Sequence, residues 1–548
     1  MLSHSSVGGT ADRLHAVSTR SPHVPGIVSP LDRGTRREDV EGNEMRMLSR
    51  REMLIAGGSA LVLAACGSGT TSSEPAGRLV DATDPSIERR DALRRRAGAS
   101  TVATTISAAP VIVNIGGRDV STWAFGDRPS AGGIRAKVGD LIEATFVNGL
   151  TSANTLHWHG IALRNDMDGV HDLTQMSVEP SGRFIYRFTV PDAGTYWFHP
   201  HMGLELDRGL YAPLIVEDPN DPVVSDVDVT LMLDDWLDGY GRTQQQVLTE
   251  LQSSGGHSGH MGNMGSSGGM GGMGGSGGMS SMMGGLTGDV TYPLHVINGR
   301  APSERETIDA KPGQRVRIRL INAGSDTAYR VAVGGNRLTV THADGFPVEP
   351  VEVDTVVLGM GERCDVIVTA GSGSFPIVAV PEGKSDPAGE AVLRTSSTAA
   401  APTVGSRPSE LSARELGYGD LVATDAVRMQ SKNPDRSTNV HLTANPAGYV
   451  HGIDGGSFPN TAPITVAQGE RLRLKIVNQT MMFHPIHLHG HTFQMVGDGS
   501  ARKDTVNVLP MTAVEVDIAA DNPGQWMLHC HNTYHLETGM ATVFSYRA

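Results

Sequence analysis

One short pattern occurs three times along this chain of 548 residues. Each copy begins with Gly and an acidic or amide residue, continues with alternating apolar and polar positions, and ends in Asn. The copies are Gly139–Asn148, Gly313–Asn322 and Gly469–Asn478. They recur at intervals close to the size of one domain, so the repeat predicts three homologous domains built from half-buried strands.

The remainder of the chain after residue 101 fits the same architecture. Short alternating segments such as Phe184–Val190 are separated by Gly-Asp, Asn-Gly and Pro-Gly steps, and no long helical period is present. We therefore expect an all-β fold of consecutive sandwiches over residues 101–218, 219–400 and 401–548. An N-terminal extension over 1–66 and a flexible tether over 67–100 precede them.

The N-terminal extension carries two export signals in sequence. Arg50 and Arg51 are followed by the apolar run Leu54–Ala65, which is typical of a Tat-type signal and is too short for a mature transmembrane helix. The run ends at Cys66 in a segment that resembles a lipobox, whose cysteine is lipidated after cleavage. We expect translation to start at Met45 or Met47. The expected product is anchored by lipid on the periplasmic side of the cytoplasmic membrane, in the cell envelope.

The composition argues against two classes of protein, nucleic-acid-binding proteins and disulfide-rich scaffolds. The net charge of −14 argues against nucleic acid as a partner, and three cysteines are too few for a disulfide scaffold. We expect a monomer.

Histidine pairs carry the chemistry, because ten of the 21 histidines fall in four clusters. Residues i and i+2 of a strand point to the same face, so each His-x-His pair directs two imidazoles at one point. Four pairs supply eight imidazoles to a shared metal site. The pairs are His157 with His159, His199 with His201, His487 with His489, and His529 with His531.

Cys530 lies between the last two histidines and points to the opposite face of its strand. It is free to bind a separate metal together with His484, His535 and Met540. Two imidazoles, one thiolate and a weak axial thioether form the ligand set of blue-copper sites. Zinc is the alternative metal, but a distal methionine suits copper better.

With these motifs in this order, residues 101–548 resemble a three-domain multicopper oxidase of the laccase and cuprous-oxidase type. The resemblance implies three cupredoxin-like Greek-key domains and four copper ions per chain. By motif, the type 1 copper is assigned to His484, Cys530, His535 and Met540, and the type 2 copper to His157 and His487. The type 3 pair is assigned to His159, His199, His201, His489, His529 and His531.

The family's mechanism supplies further expectations. An electron donor is oxidised near the type 1 copper, electrons pass through Cys530 and its neighbouring histidines, and O₂ is reduced to water at the interface of the first and third domains. Asp168 matches the acidic residue that relatives place near the type 2 copper. Many bacterial relatives have Glu directly after the last type 1 histidine; this chain has Leu536, so Glu537 is a second candidate for proton transfer.

Methionines are the main clue to the substrate. Residues 253–286 are nearly all Gly, Ser, Met and His, and thioether sulfur prefers Cu(I). Cu(I) is therefore the expected substrate, in a role in copper tolerance. Phenols in a laccase-like reaction, and a non-enzymatic copper-storage or electron-transfer protein, are the alternatives. The candidate Cu(I) ligands are Met481, Met482, Met261, Met264, Met270, Met273, Met279, Met282 and Met283.

Two further residues are expected to be structural. Cys364 lies in a strand-like segment of the second domain, where a buried thiol packs as an apolar group. His491 continues the alternation of His487 and His489, and we expect it to support the site rather than bind metal.

Overall fold

The computed structural model describes residues 77–254, 288–497 and 499–548. Over these residues the chain forms paired β-sheets in three successive domains, as predicted. No helix in the described ranges is long and apolar enough to cross a lipid bilayer.

The first domain places its strands in two packed sheets, ordered β2–β1–β4–β6 and β3–β8–β7–β5. Its strands are β1 (Thr101–Ile115), β2 (Arg118–Ala124), β3 (Ile134–Lys137), β4 (Leu141–Asn148), β5 (His157–His159), β6 (Arg183–Thr189), β7 (Gly194–His199) and β8 (Ala212–Glu217).

The second domain has the sheet orders β10–β9–β12–β17–β14–β15 and β11–β19–β18–β13–β16. Its strands are β9 (Val227–Trp236), β10 (Leu294–Ile297), β11 (Thr307–Asp309), β12 (Arg315–Asn322), β13 (Tyr329–Val333), β14 (Leu338–Ala343), β15 (Phe346–Val353), β16 (Thr355–Leu358), β17 (Arg363–Thr369), β18 (Ser374–Pro381) and β19 (Gly389–Arg394).

The third domain has the sheet orders β21–β20–β23–β28–β25–β26 and β22–β30–β29–β24–β27. Its strands are β20 (Arg436–Asn445), β21 (Val450–Ile453), β22 (Ile464–Ala467), β23 (Arg471–Asn478), β24 (His484–Leu488), β25 (Phe493–Met495), β26 (Arg502–Lys503), β27 (Thr505–Val508), β28 (Ala513–Ala519), β29 (Gln525–Cys530) and β30 (Ala541–Arg547).

The sequence repeat corresponds to one strand that occupies the same position in every domain. β4, β12 and β23 each pair in parallel with the first strand of their domain, which is β1, β9 or β20. On the other side each pairs antiparallel with β6, β17 or β28. The strict alternation of half-buried and buried residues along β4 and β23 confirms the predicted pattern.

The Asn that ends each repeat has the same structural role in all three domains. Asn148, Asn322 and Asn478 are buried, and each side-chain amide donates hydrogen bonds to backbone carbonyls of the following loop and of a neighbouring segment. Each side-chain oxygen accepts from the backbone N–H two residues later. The Asn therefore fixes the loop that leaves the strand.

The first and third domains share a continuous apolar core. Phe146 and Trp158 of the first domain belong to the same buried cluster as Ile476 and Trp526 of the third. The second domain has its own cluster, which includes Leu320 and Val366. The continuity of the first cluster holds β5 and β7 close to β24 and β29, which carry the histidine motifs.

Residues 77–100 differ from the predicted flexible tether. Helix α1 (Pro85–Arg94) begins at Asp84, whose side chain accepts from Ser86 N–H at 2.9 Å. The helix buries Ile87 and anchors Asp91, which accepts from Thr189 N–H at 3.0 Å. Asp84 followed by Pro85 is a helix-start signal, and it favours a helix here although the polar composition favours a flexible tether. A short helix needs only one buried face to pack on the domain.

Two further helices border segments of functional interest. α2 (Gln244–Ser254) ends with the first two residues of the predicted insert, Ser253 and Ser254. α3 (Thr533–Glu537) is capped by Asn532 and carries His535. Short 3₁₀ turns lie at Asn165–Met167, Glu205–Arg208, Pro302–Glu304, Ser409–Ser412 and Tyr418–Asp420.

Candidate metal centre

Paired strands position the histidines of the first domain. β5 consists of His157, Trp158 and His159, and it pairs antiparallel with β7 so that His157 lies opposite His199. Both histidines of β5 are fully buried, while Trp158 fills the core on the other face. His201 follows β7 by two residues.

The third domain presents its histidines in the same way. β24 and β29 pair antiparallel, with His487 opposite His529 and Ile486 opposite Cys530. This register places His487 and His529 together and directs Cys530 to the other face, as the alternation predicts.

The two halves meet face to face. His157 stacks on His489 with ring centroids 3.7 Å apart, and His159 stacks on His487 at 3.8 Å. The structure thus brings together all eight predicted imidazoles between the first and third domains. The other rings adjoin them with centroid distances of 4.9–5.2 Å. His531 lies beside His159, His199 lies beside His531, and His201 lies beside both His489 and His529.

Backbone carbonyls fix which nitrogen of each ring faces the cluster. The Nδ1–H groups of His157, His199, His487 and His529 donate to carbonyl oxygens at 2.8–3.0 Å. A carbonyl can only accept, so each neutral ring keeps its lone pair on Nε2. Burial lowers the pKa of His199, His487 and His529, which favours this neutral form.

The inward nitrogens fit bound copper. Nε2 of His157, His199, His201 and His487, Nδ1 of His159 and both nitrogens of His531 are buried without a hydrogen-bond partner among the described residues. Nε2 of His489 and Nε2 of His529 face each other at 3.0 Å. Unpaired buried nitrogens cost about 1–3 kcal/mol each, whereas imidazole is a favourable copper ligand. Bound copper ions would give these buried nitrogens the partners that the protein does not supply.

Two buried carboxylates each support one of the stacked ring pairs. Asp168 Oδ2 lies 2.9 Å from His489 Nδ1, and the Asp168 carbonyl accepts from His157. Asp504 Oδ1 lies 3.2 Å from His159 Nε2 and 3.4 Å from His487 Nδ1. Such partners orient metal-binding imidazoles and set their tautomer.

The pKa values of the two carboxyls are shifted in opposite directions. Burial raises the pKa of Asp168, and its contact with His157 opposes this only in part. Burial also acts on Asp504, but Arg363 donates two hydrogen bonds to it and holds its pKa well below the ordinary value. Asp168 is therefore suited to carry a proton, and Asp504 is suited to remain an anion.

Asp504 and Arg363 were not among the predicted site residues. They are 141 positions apart and lie in different domains, so no local spacing links them. The only signal in the sequence was a run of three charged residues, Arg502, Lys503 and Asp504, directly before strand β27.

A second metal site lies on the far face of β29. Cys530 Sγ is 3.6 Å from His484 Nδ1 and 3.7 Å from His535 Nδ1, and the two nitrogens are 3.1 Å apart. Met540 is fully buried, and its carbonyl accepts from Cys530 N–H at 3.0 Å. Burial raises the pKa of the Cys530 thiol, so a bound cation is needed to stabilise the thiolate.

The outer edges of the two type 1 imidazoles are also in contact with the protein. Thr480 Oγ1 lies 2.7 Å from His484 Nε2, and Asp289 Oδ2 lies 3.3 Å from His535 Nε2. These contacts leave Nδ1 of both rings for the metal. Because Cys530 adjoins His529 and His531 in the chain, the two metal sites are joined by a short covalent path.

Other predicted residues have different surroundings. Glu537 lies on the exposed end of α3, and within the described part of the chain no hydrogen bond or ion pair joins it to a ligand histidine. The structure therefore does not bring it to the cluster. Cys364 is buried in β17, as expected. His491 lies 2.6 Å from Tyr546 Oη. Cys66, Arg50, Arg51 and the methionines of the insert lie outside the described residues.

Comparison with known proteins identifies the family. Models of multicopper oxidase domains match residues 110–221, 227–398 and 428–548. The chain is 44% identical to the multicopper oxidase MmcO of Mycobacterium tuberculosis over 92% of this chain and 97% of that protein. It is 26% identical to a copper resistance protein A homolog of Pseudomonas syringae pv. tomato over 74% of this chain and 86% of that protein.

Solved structures agree on the fold. The structure of Fet3p, a multicopper oxidase that functions in iron import, is similar with a TM-score of 0.68 at 20% identity, over 81% of this chain and 90% of that one. An oxidase with a full copper complement is not a storage protein or a simple electron carrier, which sets aside the non-enzymatic alternative. The chain belongs to the multicopper oxidase family: it is an oxidoreductase that binds one type 1, one type 2 and two type 3 copper ions.

Proposed function

We propose that this enzyme is a cuprous oxidase, which oxidises Cu(I) to Cu(II) and reduces O₂ to water in the service of copper tolerance. The observation that carries the proposal is a pair of exposed methionines on two loops that meet at Thr480, which contacts the type 1 ligand His484. Met481 is 63% exposed and Met511 is 66% exposed. Large apolar side chains in such positions suggest a binding role, and thioether sulfur prefers Cu(I).

The two loops that carry these methionines are held together next to His484. Met511 N–H donates to the Thr480 carbonyl at 3.3 Å, and Thr480 Oγ1 contacts His484 Nε2 at 2.7 Å. The half-buried Met482 follows on the same loop, which Asn478 fixes through its side-chain amide. Thr480 alone would then separate a cation bound by these thioethers from the type 1 ligand His484.

The other type 1 histidine has an acidic neighbour. Asp289 contacts His535 Nε2 and also accepts from Tyr449 Oη at 2.7 Å. It lies close in sequence to the end of the methionine-rich insert, so Cu(I) delivered by the insert would reach a carboxylate and the exposed methionines around one site. The relative named a copper resistance protein is consistent with this role.

The two metal sites are suited to different half-reactions. Bound copper supplies one-electron oxidation at the type 1 position and the electrons for O₂ reduction at the cluster. Cys530 connects the sites, and Asp504 keeps His159 and His487 oriented. The Asp168 carboxyl lies 2.9 Å from His489 Nδ1, where it can take up and release a proton. We infer that Asp168 delivers protons for water formation; Glu537 remains an unsupported candidate.

Phenol oxidation is the alternative, and the burial of the type 1 ligands weighs against it. His484 and His535 are both fully buried, with their outer nitrogens already in contact with Thr480 and Asp289. An aromatic donor needs contact with such an edge, whereas a cation can bind to the thioethers outside it.

Oxygen consumption distinguishes the two substrates. We expect steady consumption at four Cu(I) per O₂, and a kcat/KM for Cu(I) well above that for a simple phenol. Deletion of residues 255–286, which leaves α2 intact, should lower the Cu(I) value and leave the phenol value unchanged. Equal Cu(I) turnover after the deletion would remove the insert from the proposal.

We also propose that the enzyme works in the cell envelope. The support is the twin-arginine signal followed by Cys66 in the sequence, and the expected lipid anchor places the enzyme where Cu(I) enters. Membrane association of the wild type, lost in Cys66→Ser, would test the anchor.

A further inference from the structure

A polar cavity of about 510 Å³ lies between helix α1, the first domain and the third domain. It is distinct from both metal sites. Its most conspicuous feature is a set of guanidinium groups contributed by four separate parts of the chain. The arginines that line it are Arg90, Arg94, Arg428, Arg471 and Arg502.

The carboxylates in the cavity wall do not balance this charge. Asp192 and Asp521 are the acidic residues that line it. Arg90 pairs with Asp521 at 3.2 Å, but that carboxylate is 61% exposed and so contributes little. Asp425, outside the wall, pairs with Arg428 at 2.9 Å. Five guanidinium groups therefore face three carboxylates, which leaves an excess of positive charge in a protein whose net charge is −14.

Arg94 is the least satisfied of the group. Its Nη1 is buried without a hydrogen-bond partner among the described residues, and so is Nε of Arg90. The two residues are one helical turn apart on the same face of α1, so their charges oppose each other. Burial and the charge of Arg90 lower the pKa of Arg94. The carboxylates of Asp521, Asp91 and Asp192 oppose this lowering only in part. A buried guanidinium N–H without an acceptor, such as Nη1 of Arg94, is costly unless a ligand supplies one.

We propose that this cavity is a binding site for a small, multiply charged oxyanion, with Arg94 as its principal ligand. Guanidinium groups bind phosphate and carboxylate oxygens through paired, charge-assisted hydrogen bonds, and several of them converge here. Phosphate fits the cavity with room for water.

Such an anion would also join parts of the protein that meet at the trinuclear site. Gly490, His491 and Thr492 line the cavity and directly follow the ligand His489. Arg502 belongs to β26 and donates to Thr492 Oγ1 at 2.7 Å. Anion binding should therefore fasten α1 to the first and third domains and raise the thermal stability of the whole enzyme.

Titration calorimetry with inorganic phosphate tests the site on the copper-loaded full chain. We expect saturable binding of one phosphate per chain. Arg94→Gln should weaken binding at least about tenfold, since charged hydrogen bonds are lost. Arg471→Gln, which changes a lining arginine at the start of β23, should weaken it as well and covers the case in which Arg94→Gln fails to fold.

The matched control is Arg89→Gln, which removes the same charge from an exposed position of α1 outside the cavity. It should leave phosphate affinity unchanged. Equal phosphate affinity in the wild type and Arg94→Gln would overturn the proposal. So would the same rise in melting temperature with sodium chloride at equal ionic strength, because that result reports charge screening alone.

An electron paramagnetic resonance spectrum separates this site from the metal. Phosphate should leave the type 2 copper signal unchanged in the wild type while the calorimetric binding saturates. A phosphate-dependent change of that signal which persists in Arg94→Gln would place the anion on copper and contradict the assignment. Neither result depends on whether Cu(I) is the substrate.

Discussion

Arg363 in the second domain donates two hydrogen bonds, of 2.7 and 2.6 Å, to the carboxylate of Asp504 in the third domain. Both side chains are completely buried. Asp504 in turn contacts His159 of the first domain and His487 of the third. The second domain holds none of the predicted copper ligands, yet through this ion pair it orients two histidines of the cluster.

Arg363→Met should uncouple the second domain from the cluster. It leaves the Asp504 carboxylate buried without its partner, which destabilises by about 3–5 kcal/mol. We expect lower occupancy of the type 2 and type 3 coppers with the blue type 1 band retained. Denaturant unfolding and copper analysis measure the two effects. Arg473→Met, which breaks a more exposed pair with Asp517, is the control and should cost about 1 kcal/mol or less.

Asp168→Asn should impair proton delivery while keeping the fold. The amide preserves the size of the carboxyl and a contact to His489 but carries no transferable proton. We expect kcat for O₂ reduction to fall about 10²–10⁴-fold, in the range for loss of a general acid. Copper content and the rate of type 1 reduction by an anaerobic donor should not change. A normal kcat would show that protons arrive by another route.

The exposed methionines should determine activity toward Cu(I). Replacing Met481, Met482 and Met511 by Leu keeps apolar volume and removes the thioether sulfur. We expect kcat/KM for Cu(I) to fall at least about tenfold, with phenol oxidation unaffected, because soft ligands are lost without a change at the copper itself. Met176→Leu is the control, since Met176 is 68% exposed but lies in the first domain away from these loops.

Glu205 should make stability depend on pH. Burial raises the pKa of Glu205 from 4.5 to about 7, despite contacts to Ser152 and Asn154. The folded state therefore holds a proton that the unfolded chain has released between pH 4.5 and 7. Stability contributed by this proton is complete below pH 4.5 and is lost as the pH rises to 7, by up to roughly 3 kcal/mol.

Glu205→Gln should flatten the fall in unfolding free energy between pH 5 and pH 7. Glu179→Gln, at an exposed position of the same domain, changes the net charge equally and should leave the slope as it is in the wild type. Identical slopes in the wild type and Glu205→Gln would show that Glu205 is ionised normally in the folded state.

Local patterns predicted those parts of the molecule that depend on neighbours in sequence. The repeat ending in Asn148, Asn322 and Asn478 identified equivalent strands because its alternation and its terminal amide act within one sheet. The His-x-His pairs predicted shared faces because side chains i and i+2 of a strand point the same way.

Contacts between distant segments could not be predicted in this way. The Arg363–Asp504 pair joins the second domain to the third. In the sequence, each of the two residues alone is typical of a charged residue on the protein surface. Helix α1 was missed because its burial depends on Ile87 and Asp91 meeting β6. Met511 was missed because it lies on a separate loop, which meets the loop of Met481 only through the hydrogen bond from Met511 N–H to the Thr480 carbonyl.

Anaerobic stopped-flow reduction of the type 1 copper tests the central claim most directly. The blue band should bleach rapidly and saturably with Cu(I) in the wild type. It should bleach at least about tenfold more slowly with Cu(I) in the triple methionine variant, and equally fast in both with a phenol. If Cu(I) bleaches the band no faster than a phenol does, or if the variant matches the wild type, Cu(I) is not the substrate that this site is built to oxidise.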